Sequence, residues 1–187
     1  MAYTTIDDPE AYFQVELYTG TGSELSTTFD GDTDMQPNLV WQKNRDQGEG
    51  HKVFDSVRGA TKFIMTNNND AEATGADDLT SFDSDGFTIG TDADMNTSNE
   101  KNVAWCWKES ATSGFDIVTY TGNGTAGNTV AHSLSAAPSL VIVKKRSDTA
   151  QWAVGHKAMD SGFDYFMFLD ADSAKGNADN VFNDTAP

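Results

Sequence analysis

The sequence contains one cysteine, few basic residues and no long apolar run. A lone Cys106 excludes an intrachain disulfide, and its place between Trp105 and Trp107 is typical of a small core residue rather than a thiol nucleophile. The 12 Lys and Arg against 29 Asp and Glu give a net charge of −17, which would repel a phosphate backbone, so no nucleic-acid partner is expected. No apolar run approaches the length that crosses a bilayer, so no membrane insertion is expected.

What the chain does contain is a series of short apolar runs. They are rich in Val, Ile, Phe, Tyr and Trp and are separated by Gly, Asp, Asn, Ser and Thr, the pattern of strands joined by turns. The predicted strands span residues 12–18, 39–43, 51–54, 62–66, 86–89, 103–107, 115–120, 140–144, 152–156 and 165–169. Their number and spacing predict an all-β fold, an antiparallel β-sandwich or a jelly-roll-like arrangement.

Two of these strands make more specific predictions. Residues 140–143 form a continuous apolar run, which is expected of a central strand covered on both faces. In the strand at 103–107, Trp105 and Trp107 alternate with smaller residues. Two large aromatic side chains on one face of a strand are expected to lie in the core.

An internal repeat appears when the chain is compared with itself at a shift of roughly a hundred residues. Four matches occur in the same order, pairing 18–22 with 120–124, 37–45 with 138–146, 50–56 with 155–161 and 62–65 with 165–168. They predict two related β-units, the first over 1–110 and the second over 111–187. The second unit lacks counterparts of strands 86–89 and 103–107. We therefore expect a fragment of a longer polypeptide or, alternatively, a unit completed by another chain.

Aspartate-rich loops are the candidate metal sites, and the best of them carries Asp30, Asp32 and Asp34. Carboxylate oxygens are ligands for calcium, but Met35 and Trp41 stand where an EF-hand loop requires Gly and Glu. Ordinary turn chemistry uses the same residue types, and it is the favoured alternative. No other cofactor is predicted.

Exposed aromatic side chains are candidates for sugar binding because their apolar faces stack on sugar rings. The predicted ligand-binding residues are Trp152, Trp41, Tyr18 and Tyr120. Trp152 follows a polar loop, so it is expected to be the most accessible of the tryptophans.

No catalytic residue is predicted. His51 and His156 are each followed four residues later by a carboxylate, at Asp55 and Asp160. Their recurrence in both units favours a structural contact, and no Ser or Cys nucleophile motif lies beside either histidine. The paired carboxylates of a glycoside hydrolase leave no local motif here either.

Several motifs, taken as a set, resemble a known family. They are Asp-Pro-x-Ala-Tyr-Phe-Gln at 8–14, the Tyr-Thr-Gly-x-Gly turns at 18–22 and 120–124, Phe-Asp-Ser-Val-Arg-Gly at 54–59, Ser-Phe-Asp-Ser-Asp-Gly-Phe at 81–87 and Ala-Trp-Cys-Trp-Lys at 104–108. The family is a repeat-containing group in virion structural and tail proteins of phages that infect marine bacteria, including cyanophages, often described as concanavalin- or laminin-G-like. The resemblance implies a β-sandwich on the exposed surface or tail of a phage particle, and it brings no catalytic residues.

These observations lead to one expected function and two alternatives. We expect a non-enzymatic virion protein, a tail fibre, appendage or adhesin, which forms a homo-oligomer, contacts other virion proteins and contributes to attachment to a host-surface glycan. A capsid decoration protein that bridges shell subunits is the first alternative. A glycan depolymerase is the second.

Overall fold

The structure, a computed structural model, describes residues 6–159, 162–177 and 181–182. These residues are mostly β-structure in three antiparallel sheets, with almost no helix. The helical turns are a 3₁₀ helix over Pro9–Ala11 and α1 over Ala93–Asn96, each begun by an aspartate whose side chain accepts a backbone N–H.

The strands are, in chain order, β1 (Phe13–Thr19), β2 (Leu25–Thr27), β3 (Leu39–Asn44), β4 (Lys52–Asp55), β5 (Lys62–Met65), β6 (Ala73–Thr74), β7 (Leu79–Asp83), β8 (Gly86–Ile89), β9 (Lys101–Trp107), β10 (Leu140–Val143), β11 (Ala153–His156), β12 (Tyr165–Phe168) and β13 (Gly176–Asn177). One sheet has six strands in the order β1-β9-β3-β4-β5-β6, the second has three in the order β2-β8-β7, and the third has four in the order β10-β11-β12-β13. Residues 6–109 are the first region below, and residues 115–182 are the second region.

The core of the first region is formed by the six-stranded and three-stranded sheets. Successive side chains of a strand point to opposite faces, and the inward set on β3 and β9 includes Val40, Ala104 and Cys106, all fully buried. Phe87 and Ile89 of β8 belong to the same buried cluster. The prediction that Cys106 is a small core residue is confirmed, and burial raises the pKa of its thiol.

The hairpin of β7 and β8 depends on a glycine at its turn. Gly86 has a φ of +110°, and a side chain there would overlap the carbonyl oxygen of Thr27 on β2. The two carboxylate oxygens of Asp83 accept hydrogen bonds from the hydroxyls of Ser81 and Thr88, both at 2.7 Å. The turn therefore holds the three-stranded sheet in register.

The four strands of the second region repeat the pairing of β3 to β6. The corresponding pairs are Leu39–Asp55 and Leu140–His156, Lys52–Met65 and Ala153–Phe168, and Phe63–Ala73 and Phe166–Gly176. The sequence match of 62–65 with 165–168 agrees with this pairing. The match of 50–56 with 155–161 does not, because strand pairing puts His156 in the place of Asp55 rather than of His51.

Contacts between the loop after β5 and the loop after β10 join the two regions. The indole N–H of Trp152 donates to the carbonyl oxygen of Met65 at 2.9 Å. Arg146 pairs with Glu72 at 2.8 Å, and Glu72 also lies 3.4 Å from the buried guanidinium of Arg58. The backbone N–H of Glu72 donates to the carbonyl oxygen of Arg146 at 2.9 Å.

Two strand predictions are wrong, and both concern the second region. Residues 115–120 form no strand, apart from an isolated bridge between Phe115 and Ser110. The run 140–143 is an edge strand rather than a central one, because β11 is its only neighbour among the described residues. The short or polar strands β2, β6, β7 and β13 were not predicted from sequence.

Candidate functional site

Aromatic side chains cover much of the outer face of the six-stranded sheet, opposite the core. Strand register places Trp41 beside Trp105 and Phe13 beside Trp107. The ring centroids of these pairs are 6.1 Å and 5.0 Å apart, and Phe115 lies 6.2 Å from Trp107. We name these five residues the aromatic face; all are partly or well exposed.

An exposed apolar row on β1 continues this face to the edge of the sheet. Phe13, Val15 and Leu17 are 38%, 44% and 62% exposed, and they point to the same side as Trp105 and Trp107. β1 is an edge strand of the sheet, and β9 is its only neighbour among the described residues. Apolar surface of this kind is typical of contact sites for other molecules.

Two shallow cavities adjoin the aromatic face and share Trp107. The larger, about 330 Å³, is lined by Trp41, His51, Trp105 and Trp107. The smaller, about 240 Å³, is lined by Ile6, Pro9, Tyr12, Phe13, Trp107, Ser113 and Phe115. Flat aromatic walls with a few polar groups at the rim suit a ligand that has both apolar and hydroxylated surfaces.

The wall of the larger cavity is almost entirely apolar, and His51 is the one residue in it that is not a tryptophan. Burial, with a smaller effect from the charge of Lys43, lowers the pKa of His51, so its imidazole is neutral at neutral pH. A neutral imidazole offers one donor and one acceptor. The Trp41 indole N–H is buried and has no acceptor among the described residues.

The predicted ligand-binding residues are not brought together. Trp41 belongs to the aromatic face, whereas Trp152 is buried against the first region, so the expectation that it is the most accessible tryptophan is wrong. Tyr18 is also buried, and its hydroxyl donates to the carbonyl oxygen of Met95 at 3.0 Å. Tyr120 is 57% exposed and lies in an irregular segment away from the cavity walls.

The aspartate-rich loop does not gather a ligand set. Asp30, Asp32 and Asp34 are exposed, and in the described part of the chain no three acidic, His or Cys side chains converge to hold a metal ion. The loop is tied down instead by Glu10, whose carboxylate accepts the Asp32 N–H at 3.0 Å, and by Asp85, which accepts the Met35 N–H at 3.2 Å. These contacts fit the turn alternative.

A buried lysine forms a separate ionic cluster beneath the six-stranded sheet. Lys52 Nζ lies 3.0 Å from Asp78, 2.8 Å from Asp92 and 3.1 Å from Asp94. Burial alone would lower the pKa of Lys52, but the hydrogen bonds to Asp92 and Asp78 outweigh it and the pKa is raised. Burial raises the pKa of Asp78 in spite of the Lys52 charge. The cluster fastens α1 and the start of β7 to β4.

The model of one protein family, described as Domain of unknown function (DUF7483), matches residues 8–187. The chain belongs to this family. The DUF7483 description names neither an activity nor a phage, so the expectation of a virion protein stays a prediction. Neither a curated protein nor a solved structure matches the chain. In the described part of this DUF7483 chain, no helix is long and apolar enough to cross a membrane.

Most of the aromatic face was missed from sequence. Trp105 and Trp107 were assigned to the core, but the core side of β9 belongs to Ala104 and Cys106. The alternation of residues along β9 shows that the tryptophans and the smaller residues point to opposite faces of the sheet. It does not show which of these faces the three-stranded sheet covers. Aromatic size favoured the wrong side.

Proposed function

We propose that this DUF7483 chain is a non-enzymatic β-sandwich module, concanavalin- or laminin-G-like, displayed on a virion as part of a tail fibre, appendage or adhesin. Its role would be to contribute to attachment to a host-surface glycan. The observation that supports this proposal best is the aromatic face with its two adjoining cavities. The resemblance to virion proteins supplies the setting.

Sugar binding suits the chemistry of this face. The apolar face of a pyranose stacks on an aromatic ring while its hydroxyls need hydrogen-bond partners at the rim. Trp41 and Trp105 supply the rings, and the neutral His51 supplies a donor and an acceptor. The net charge of −17 favours neutral over anionic glycans.

The binding of one such module is expected to be weak. The cavities are shallow, and the larger is at the small end of the range for ligand sites, ~300–1,000 Å³. Several copies on one particle would raise the avidity without any further contact. A homo-oligomer with other virion proteins as neighbours is therefore part of the proposal.

Binding to a panel of neutral bacterial-surface oligosaccharides, measured by NMR titration on the full chain, tests the proposal. We expect Trp105→Leu and Trp41→Leu each to weaken binding by about fivefold, since an aromatic contact contributes ~1 kcal/mol. Tyr120→Leu, an exposed aromatic away from the cavities, is the matched control and should bind as the parent does. Binding that survives both tryptophan changes, or is lost in the control, would contradict a site on the aromatic face.

The exposed row on β1 favours a second candidate, a capsid decoration protein that bridges shell subunits. Phe13, Val15 and Leu17 would then lie against a protein surface. Cross-linking of Leu17→Cys on intact particles distinguishes the two roles. Adducts with the shell protein support decoration, and adducts with tail proteins support the fibre or adhesin.

A further inference from the structure

The sheet of the second region has the strand pairing of β3 to β6. Where a large core side chain is missing from it, other large side chains fill the space. Strand pairing puts Gly155 in the place of Phe54, a fully buried core residue. The rings of Phe182 and Phe163 lie so close to Gly155 that a side chain there would meet both. Counted back from the matching strands β5 and β12, Phe163 stands in the place of Ala60, a small residue packed against the core of the first region. A large and a small residue have exchanged places, so the two sheets are built on one plan.

In the described part of the second region, no strand takes the place of β9 or of the three-stranded sheet. On the side away from β4, β3 pairs with β9, from Leu39–Trp107 to Asn44–Asn102. The corresponding side of β10 has no neighbour among the described residues. The Lys157 N–H donates to the carbonyl of Ser139, so alternate residues bond to β11 and the backbone groups of Leu140 and Ile142 face the open edge.

The open edge is also apolar. The side chains of Leu140 and Ile142 are 52% and 45% exposed. On the other face, Val141 and Phe166 are only half-buried, whereas Val40 at the corresponding position is fully buried beneath the three-stranded sheet. An exposed apolar strand edge presents unpaired backbone groups on which another strand can be added.

The irregular segment before β10 has lost the same partner. Residues 115–121 correspond to β1, which pairs with β9, and no strand forms there. Tyr18 of β1 packs on Phe87 and bonds to Met95, while the corresponding Tyr120 is 57% exposed. In the first region, residues 79–107 supply all three of these contacts: the pairing of β1 with β9, the packing of Tyr18 on Phe87 and its hydrogen bond to Met95.

We propose that the second region is a docking site for a polypeptide segment with the pattern of this chain's own residues 79–107. Its strand like β9 would pair with Leu140 and Ile142 on one side and with residues 117–121 on the other. Its hairpin like β7 and β8 would cover Val141 and Phe166. The first region shows this occupant seated on the equivalent sheet, and the inference is independent of glycan binding.

A synthetic peptide of residues 77–108 added to the full chain tests the docking site by hydrogen exchange. We expect amide exchange in residues 117–121 and 140–143 to slow by at least tenfold, with no slowing in β3 or β4, whose partners are already in place. A peptide with Ala104→Lys and Cys106→Lys carries charge on the side that would be buried, and it should protect nothing. Equal protection by both peptides, or none by the first, would overturn the proposal.

A proline on the open edge makes the test specific. The Ile142 N–H faces the edge and has no partner in the described structure, so Ile142→Pro should leave the thermal unfolding of the free chain nearly unchanged. The variant should nevertheless lose the peptide-induced protection, whereas Leu169→Ser, an exposed apolar residue beyond β12, should keep it. A free parent chain that sediments as a dimer, with Ile142→Pro monomeric, would show instead that a second copy occupies the edge.

Discussion

The two regions contain the same four-strand pattern in very different surroundings. In the first region, β9 and the three-stranded sheet bury Val40 and Phe54 completely. In the second, Val141 stands in the place of Val40 and is only partly buried, and on the opposite face Leu140 and Ile142 are about half exposed. Because the same residue type occupies the equivalent place at Val40 and Val141, the difference shows that burial is set by partners distant in the chain rather than by the strand itself.

The largest expected effect comes from converting the first core toward the second. Phe54→Gly should reduce the free energy of unfolding by about 3–5 kcal/mol, because it opens a cavity in a closed core. Adding Ala60→Phe imitates the Gly155 and Phe163 arrangement and should recover about 1–2 kcal/mol of that loss. Urea unfolding of both variants and of Ala60→Phe alone measures the coupling. If the double variant loses as much free energy of unfolding as the two single variants together, the two sheets are not equivalent at these positions.

The second-largest effect is expected from the buried ionic cluster of the first region. The second region has no counterpart of Lys52, because Ala153 stands in its place. Lys52→Met should cost about 3 kcal/mol at neutral pH, because it leaves carboxylates without their cation. The unpaired carboxylates then bind protons more tightly in the folded state, so the loss should shrink as the pH falls. Unfolding of Lys62→Met, which removes a partly exposed lysine from the adjacent strand, is the control. Equal stabilities of the two variants would contradict the assigned role.

Two glycines that both have a positive φ angle, one in each region, should also lose different amounts of stability when they are changed to alanine. Gly86 has a φ of +110° beside the Thr27 carbonyl, while Gly124 has a φ of +73° with nothing within 4 Å of an added Cβ. Gly86→Ala should cost about 2–3 kcal/mol from strain and overlap together. Gly124→Ala should cost about 1 kcal/mol or less. Thermal unfolding compares the pair, and a larger loss for Gly124→Ala would contradict the close packing described for Gly86.

The smallest effect concerns the ion pair that joins the regions. Burial raises the pKa of Glu72, but the hydrogen bond and charge of Arg146 and the charge of Arg58 lower it more, so the net shift is downward. A lowered folded-state pKa adds stability above the unfolded pKa that is lost as the pH falls through the folded pKa. Glu72→Gln should therefore cost about 0.5–1 kcal/mol at neutral pH, and this cost should shrink as the pH falls below the ordinary Glu pKa. A cost that does not change with pH would assign the contact to packing instead.

Sequence reasoning located most strands because each strand is encoded by its own apolar run and bounding turns. β8 was predicted with its observed bounds, and β3, β4, β5 and β10 within a residue or two. Residues 115–120 have the same local signal as β1, yet the strand does not form where its pairing partner is lacking. The polar β7, Leu-Thr-Ser-Phe-Asp, gave no local signal because its position depends on the hairpin turn and the core beneath it.

The site was harder to predict than the strands. Choosing the outer face of β9 required knowing where the three-stranded sheet packs, and that packing is non-local. Tyr18 and Trp152 were chosen for their aromatic character, and both are buried by contacts more than 70 residues away in sequence. Trp41 alone was placed on the aromatic face by a residue-type argument.

The Lys52 cluster has a consequence for the media in which the fold can exist. Most of the 29 acidic side chains repel one another through water, and dissolved salt screens that repulsion. Asp78 and Asp92 instead have a fixed ammonium within 3.0 Å, supplied by the chain itself. Mobile ions reach a buried pair poorly. The attachment of α1 and β7 to the large sheet should thus be equally stable in fresh water and in brine, while the repulsion between surface carboxylates weakens as the salinity rises.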